Sequence, residues 1–434
     1  MPQKISIHWF RRDLRLYDNS ALFHALNSGL SVMPIFIYDT DILSLLSNTS
    51  DSRVNFIHGE VEKLNVSLKA LGSSLHQYSG RPSEIFKSLA DSFDIDAVYA
   101  NEDYEPYGID RDNKVAKILV SAGMEFRTYK DHVIFEKSEV VKPDNLPYTV
   151  FTPYSKKWIE KFVHQMPVSF SSETLLNNFQ LCPPELDITL EEIGFKKVNF
   201  LFPSPVPDEE IIRDYQQYRD IPSLDRTSHL GLHLRFGTVS IRKIACLAYQ
   251  LNATWLNELI WRDFFMQILF QFPHVQNSAF KTQYERIEWL NDEKSFNLWC
   301  EGKTGYPLVD AGMRELNQTG FMHNRVRMIT ASFLTKHLLI EWRWGEAYFA
   351  EKLLDFELSS NNGNWQWAAG TGCDAAPYFR IFSPQAQTVR FDPKLEYIRR
   401  WLPELGTNQY PDPIIEHNVA RKRCLSSYQK ALNK

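Results

Sequence analysis

A repeated alternation of two patterns along the first 135 residues constrains the fold more than any other feature of this sequence. Short apolar runs of strand length alternate with longer stretches in which apolar residues recur every three or four positions. The apolar runs lie at 5–10, 32–38, 74–78, 97–100 and 125–129, and the helix-like stretches at 20–27, 53–71, 82–93 and 110–122. Strands that alternate with helices form a parallel sheet covered on both faces. We therefore predict an α/β domain at 1–135, doubly wound around a mainly parallel five-stranded sheet.

The rest of the chain lacks this strand pattern. Prolines are frequent between 136 and 207 and the periodicity fades there, as expected for a connection between domains. Beyond residue 207, apolar residues recur at helical spacing at 255–270, 307–316, 324–339 and 345–354. The sequence thus predicts an interdomain connection at 136–207 and an all-α domain at 208–434.

The charge balance argues against a uniformly basic protein. Lys and Arg total 48 against 53 Asp and Glu, which gives a net charge of -5, so any nucleic-acid site must be a local basic patch. The five cysteines form no CxxC pair and do not suggest a disulfide framework. No stretch approaches the ~18 uninterrupted apolar residues of a membrane span, and the first residues carry charges where a signal peptide is apolar. We expect a cytoplasmic protein with no membrane partner and no metal site.

Two common nucleotide-binding motifs are absent from the sequence. No GxGxxG follows the first apolar run, and the Gly-Lys-Thr at 302–304 lacks the preceding glycine of a phosphate-binding loop. The first absence weakens an interpretation as a nicotinamide-dependent oxidoreductase, and the second argues against a phosphate-binding loop at 302–304.

The helical stretch at 255–262 places two indoles, a carboxylate and a guanidinium on one face. They are Trp255, Glu258, Trp261 and Arg262, which are separated by steps of three and four residues and therefore share one side of a helix. An acid in such a row is unusual for a structural helix and suggests a ligand. A core helix with an i,i+4 ion pair between Glu258 and Arg262 explains the pattern equally well.

Other segments carry polar groups suited to a ligand pocket. Asn324, Arg327 and Met328 share one side of a helix, although a buried salt-bridge network has the same pattern. Between 355 and 367, acids, consecutive amides and alternating tryptophans meet. Because Trp365 and Trp367 are two positions apart, we expect only one of them to line a given pocket.

The hydroxyl pair Thr227 and Ser228 precedes an apolar stretch. A helix that starts there would present hydroxyl and N–H donors to a phosphate. Ordinary helix capping is the alternative explanation.

Six motifs in the same order along the chain closely resemble those of the photolyase/cryptochrome superfamily. The match is nearest to class I cyclobutane pyrimidine dimer photolyases and covers nearly the whole chain. The motifs are WFRRDLR at 9–15, NELIWR at 257–262, EGKTGYPLVD at 301–310, MHNRVRM at 322–328, NNGNWQW at 361–367 and DAAPYFR at 374–380.

The resemblance implies that the helical domain binds FAD. Asn361 matches the residue that faces flavin N5, Arg327 and Asp355 match an ion pair beside the isoalloxazine ring, and Gly231 departs from the usual Ser near the phosphates. The residues implied to bind FAD are Tyr215, Thr227, Ser228, Leu230, Gly231, Trp255, Arg327, Asp355, Glu357 and Asn361.

The resemblance also implies a substrate, a pyrimidine dimer flipped out of DNA. Glu258 matches the acid that hydrogen-bonds the dimer, and Trp261 and Trp367 match the indoles that flank it. Asn324 and Met328 are implied to line the same cavity. The arginines implied to contact DNA are Arg219, Arg262, Arg325 and Arg380.

Trp365, Trp342 and Trp299 match a relay that carries electrons from the protein surface to photoexcited oxidised FAD, although each alone could be a core indole. An antenna chromophore, folate or deazaflavin, is also implied. The segment 101–105 follows the fourth predicted strand, where open α/β sheets place ligands, and the sequence leaves the antenna undecided.

The expected function is therefore light-driven DNA repair by a monomeric lyase, in which reduced FAD donates an electron to the dimer and splits it. The alternative is a cryptochrome-type photoreceptor that binds FAD without repair. Retention of Glu258, Trp261, Asn361 and Trp367 favours repair.

Overall fold

The computed structural model describes residues 4–433, which form two compact units. The α/β unit contains the chain up to Glu136 together with Lys161–Pro207 and His229–Leu247, and the helical unit contains Lys137–Glu160, Asp208–Ser228 and the chain from Ala248 on. Segments of the two units therefore alternate along the sequence. The domain boundaries at 135 and 207 remain predictions. Residues 229–247 belong to the α/β unit because buried Arg242 pairs there with Asp18 at 3.0 Å and with Asp131 at 2.7 Å.

The sheet of the α/β unit has five parallel strands, as predicted. The strands are β1 (Ile5–Phe10), β2 (Ser31–Asp39), β3 (His76–Gly80), β4 (Ile95–Asn101) and β5 (Glu125–Tyr129), in the order β3-β2-β1-β4-β5. Every residue of the central strand β1 is buried, including the polar residues Ser6 and His8, as expected for a parallel strand covered on both faces.

Helices occupy most of the remaining regular structure. In chain order they are α1 (Ser20–Leu26), α2 (Thr40–Leu43), α3 (Ser52–Ala70), α4 (Pro82–Ser92), α5 (Pro106–Ser121), α6 (Phe151–His164), α7 (Glu209–Tyr218), α8 (Gly231–Phe236), α9 (Ile241–Leu251), α10 (Ala253–Gln271), α11 (Glu293–Cys300), α12 (Pro307–Thr319), α13 (Asn324–Ser332), α14 (Trp342–Lys352), α15 (Leu358–Ala369), α16 (Pro384–Phe391), α17 (Glu396–Trp401) and α18 (His417–Leu432). A π-helix, Phe333–His337, follows α13 directly. The prediction of an all-α C-terminal region is confirmed.

Local sequence explains where α10 begins and where α15 ends. Asn252 starts α10, because its side chain accepts from the N–H groups of Thr254 and Trp255. Gly370 ends α15 in the left-handed region at φ 89°, which a glycine adopts without strain.

Close helix packing defines the interior of the helical unit. A Cβ added at Gly363 of α15 would lie 2.1 Å from the Phe265 ring of α10, so the two helices approach as closely as they do only because this position is glycine. Gly345 of α14 makes room for the Trp365 indole in the same way, since a Cβ there would also lie at 2.1 Å. These contacts fix the helix that carries most of the candidate site.

No helix within residues 4–433 is long and apolar enough to cross a membrane.

Candidate functional site

A cavity in the helical unit brings many of the predicted residues together. Together with its open mouth it comprises about 620 Å³ of empty space between α13, the segment before α15, and α15 itself. The predicted residues on its walls are Asn324, Arg327, Met328, Asp355, Glu357, Asn361, Trp365 and Trp367. Both indoles of α15 contribute, so the expectation that only one could line a given pocket is wrong. The cavity touches two adjacent stripes of α15, one with Asn361 and Trp365 and one with Asn364 and Trp367.

An oriented ion pair lies on one wall of the cavity. The Arg327 guanidinium donates to both carboxylate oxygens of Asp355, at 3.0 and 3.3 Å, and its Nε donates to the Met322 carbonyl at 2.7 Å. The backbone bond fixes the guanidinium plane. The predicted pairing of Arg327 with Asp355 is therefore present in the structure.

Asn361 presents a free acceptor to the cavity. Its amide Nδ2 donates to the Glu346 carbonyl at 3.1 Å, whereas Oδ1 accepts no hydrogen bond from the residues that the structure describes. The next residue, Asn362, donates to the Glu346 carboxyl at 3.0 Å. Burial raises the pKa of Glu346 to about 7, against the opposing effects of Asn362 and Arg343.

Glu346 was missed by sequence analysis. The available signal was its position four residues after Trp342, on the same helix face as a buried indole. A single acid at that spacing is too common in helices to indicate a site.

The chemistry of the cavity walls fits the flavin ring of FAD. Ala331, Phe349, Leu353 and Ala368 supply apolar walls, and the polar groups converge at Arg327, Asp355 and Asn361. A flat heteroaromatic ring with a polar edge needs this combination. The residues present therefore fit the isoalloxazine ring.

A second cluster surrounds Glu258 on α10. Arg219 donates to its carboxylate at 2.7 Å and lies over the Tyr215 ring, 5.1 Å from the centroid. Burial raises the pKa of Glu258, and the Arg219 cation opposes this shift. Tyr215, predicted near the FAD phosphates, lies beside Glu258, and its predicted role in FAD binding remains a prediction.

The other aromatic residues of α10 differ in exposure. Trp255 is a core residue at 5% exposure, whereas Trp261 is half-buried. The Phe151 ring stacks on Trp261 with 3.6 Å between centroids and 4° between planes. Phe151 carried no motif and was also missed.

The predicted DNA-contacting arginines fall into two groups. Arg325 pairs with Asp220 at 2.6 Å, and Arg380 is exposed. Arg262 is different: its side chain is 10% exposed and donates to buried Glu357 at 2.9 Å. A phosphate cannot approach a guanidinium enclosed in this way, so the structure contradicts the prediction that Arg262 contacts DNA.

The three predicted relay tryptophans are all buried. Trp365 lies edge-on to Trp299 with 6.1 Å between centroids, and Trp342 is 1% exposed. Trp299 is 0% exposed, so it does not provide the surface end of a relay, and this part of the prediction is wrong. Two half-buried indoles, Trp289 and Trp344, pack against the same core and were missed.

The predicted phosphate segment spans both units. Thr227 and Ser228 belong to the helical unit, and Leu230 and Gly231 to the α/β unit. Leu230 precedes the six-residue helix α8 without a side-chain cap, and it is buried. The role of this segment in FAD binding remains a prediction.

Asn101, the first residue of the predicted antenna segment, is part of the fold. Its Nδ2 donates to Asp13 at 2.6 Å and to Asn19 at 2.8 Å. Beside it, Arg12 pairs with Asp103 at 3.1 Å and with Glu105 at 3.2 Å. These groups satisfy one another, so the network does not indicate which antenna, if any, is bound. Within residues 4–433, no group of three or more His, Cys, Asp or Glu side chains is placed to hold a metal ion.

The fold and this site together define a two-part flavoprotein, with a parallel α/β unit and a helical unit that carries the flavin cavity. Models of two protein families match the chain: DNA photolyase over residues 6–171, and the FAD binding domain of DNA photolyase over residues 255–409. A deoxyribodipyrimidine photo-lyase of Vibrio cholerae is 35% identical, over 98% of this chain and 99% of its own length. The chain belongs to the photolyase/cryptochrome family.

Solved structures agree with this assignment. A bacterial class III photolyase from Agrobacterium tumefaciens has a TM-score of 0.88 and 31% identity, and covers 100% of this chain and 99% of its own. A cryptochrome from Synechocystis has a TM-score of 0.82 and 28% identity over 98% and 99% of the two chains. The nearer resemblance to class I enzymes remains a prediction.

Proposed function

We propose that this protein is a light-driven DNA repair lyase that splits cyclobutane pyrimidine dimers. When bound, reduced FAD excited by light supplies the electron for the splitting. One observation carries the proposal: the ion pair between Arg262 and Glu357, at 2.9 Å, joins the two groups of site residues. Arg262 follows Trp261 on α10, the helix of Glu258, and Glu357 lines the flavin cavity. The residues for the dimer and those for the flavin are thus adjacent.

The side chains divide the work between binding the flavin and binding the substrate. Asn361 accepts a hydrogen bond at the flavin through Oδ1, because its amide nitrogen is held by Glu346. Glu258 hydrogen-bonds the dimer, and burial raises the pKa of its carboxyl against the opposing effect of Arg219. Trp261 and Trp367 stack on the extruded bases.

The DNA is held by a local basic patch. Arg219, Arg325 and Arg380 supply it, and Arg219 and Arg325 already carry a carboxylate partner in the free protein. DNA phosphates must displace those carboxylates, so the existing ion pairs compete with DNA for Arg219 and Arg325. We further propose a monomer in the cytoplasm, and the five cysteines, all free thiols in the structure, support the reducing compartment.

The test compares parent and Glu258→Gln proteins, reduced chemically and illuminated with an oligonucleotide that contains one thymine dimer. Gln keeps the size of the side chain and removes its acid, so we expect unchanged FAD content and about two- to tenfold fewer dimers split per absorbed photon. Equal yields in the two proteins would remove the role of Glu258. A parent that binds FAD and splits no dimers would instead be a cryptochrome-type photoreceptor.

A further inference from the structure

The rings of Phe151 and Trp261 lie face to face at close range. Their centroids are 3.6 Å apart and their planes differ by 4°. The other rings near Trp261 are Phe265, at 5.3 Å and 28°, and Phe264, at 5.6 Å and 80°. Trp261 is therefore supported by one ring in full face-to-face contact.

The position of Phe151 is fixed by its backbone. It is the first residue of α6, and its N–H donates to the Asp374 carboxylate at 2.9 Å. A carboxylate at a helix N-terminus is stabilised by the unpaired N–H groups there. Asp374 is the first residue of the DAAPYFR motif, which ends at Arg380. One carboxylate therefore connects Phe151, which supports Trp261, to a segment that we propose to contact DNA.

This arrangement leaves Trp261 both oriented and accessible. Phe151 and Trp261 are each half-buried, so part of the indole remains exposed. An indole without support would sample several rotamers and lose that freedom when a base stacks on it. A supported indole has lost the freedom already, which lowers the entropic cost of binding.

We propose that Phe151 is a positioning residue for dimer recognition, which holds the Trp261 indole in the orientation that stacks on the extruded dimer. The inference rests on the proposed function, since it assigns Trp261 to the dimer. The opposite role is a gate, in which Phe151 occupies the place of a base and must leave before the dimer binds. The two roles predict opposite effects on affinity.

A double-mutant cycle distinguishes these roles. Dissociation constants for dimer-containing and undamaged oligonucleotides are measured for the parent, Phe151→Leu, Trp261→Leu and the double variant. We expect Phe151→Leu to weaken binding of the dimer-containing DNA about three- to tenfold, with no effect on undamaged DNA, because one aromatic stack is lost. In the Trp261→Leu background the same change should have no further effect, because Phe151 acts through Trp261.

Three control variants separate positioning from a general loss of packing. Phe151→Tyr keeps the ring and should bind as the parent does. Phe272→Leu removes another half-buried ring of the helical unit, which packs on Phe280 rather than on Trp261, and should leave dimer affinity unchanged. If Phe151→Leu does not fold, Phe151→Met replaces it in the cycle.

A spectroscopic readout tests the orientation of Trp261 without DNA. The contribution of Trp261 to the near-ultraviolet circular dichroism is the difference between spectra recorded with and without Trp261→Leu. This contribution should fall by more than half when Phe151→Leu is present in both proteins, and it should persist when Phe151→Tyr is present instead. An unchanged signal, equal losses of affinity in both backgrounds, or tighter binding by Phe151→Leu would each overturn the proposal. A parent that binds FAD but splits no dimers refutes the proposed function alone, because the dichroism still reports on Phe151.

Discussion

At the residue scale, the buried carboxyl of Glu346 carries the clearest pH dependence. Burial raises its pKa to about 7, well above that of the unfolded chain, so the folded state holds its proton more tightly. The stabilisation from this proton is complete at pH 4 and is lost as the pH rises through 7. Glu346 therefore makes the folded protein less stable above neutrality.

We expect the free energy of unfolding to depend differently on pH in the parent and in Glu346→Gln. Between pH 5 and pH 8 the free energy of unfolding of the parent should fall relative to that of the variant, by about 1 to 3 kcal/mol, because Gln has no proton to lose. Urea unfolding of both holoproteins across that range measures it. Two parallel curves would show that the carboxyl does not titrate in the folded protein.

At the scale of elements, the π-helix Phe333–His337 buries a lysine. Lys336 is 1% exposed and donates to the Arg380 carbonyl at 3.0 Å. Burial lowers its pKa to about 8. The π-helix thus holds the backbone of a segment that we assign to DNA contact.

Lys336→Met should separate DNA binding from stability. We expect severalfold weaker binding of dimer-containing DNA, since the Arg380 segment loses its anchor, but no loss of stability at pH 7, since a buried ammonium is costly. Above pH 8 the parent should gain stability relative to the variant, because the folded lysine is already neutral while the unfolded one is still protonated. Equal affinities in the two proteins would show that Lys336 does not support the DNA-binding surface.

Helices α10 and α15 show how far sequence analysis reaches. Helical spacing placed Glu258 and Trp261 on one face, and the dense polar run before Trp365 marked the cavity wall. Exposure was not predictable in the same way. Arg262 and Trp299 have suitable side chains, but tertiary contacts bury them completely or nearly so.

Residues that act through distant partners were also beyond sequence analysis. Phe151 meets Trp261 only because α6 packs against α10, and no local pattern encodes that contact. The five-stranded sheet, in contrast, follows from short-range alternation of apolar and amphipathic stretches and was predicted correctly. The interleaving of the two units has no such local signature.

At the scale of the whole molecule, an acidic protein must bind a polyanion. Its net charge is -5, so binding depends on the basic patch and should weaken as salt rises. Each phosphate contact contributes about -0.9 to the slope of log affinity against log salt. Arg325→Ala should therefore lower affinity and reduce that slope by about one.

Asp220→Asn is the matched test of the Arg325 contact. It frees the guanidinium from its ion pair and removes a negative charge, so affinity for DNA should rise at low salt. Filter binding from 50 to 300 mM salt measures both variants. If Asp220→Asn and Arg325→Ala shift affinity in the same direction, Arg325 does not contact phosphate.

The most direct test of the central claim is a flash experiment on the reduced protein, bound in the dark to an oligonucleotide with one thymine dimer. Restored thymines are counted after single blue flashes, with a dark sample as control. The account predicts no splitting in the dark, at most one dimer split per protein per flash, and FAD returned to its reduced state after each. Splitting in the dark, or none under light with FAD and DNA both bound, would contradict it.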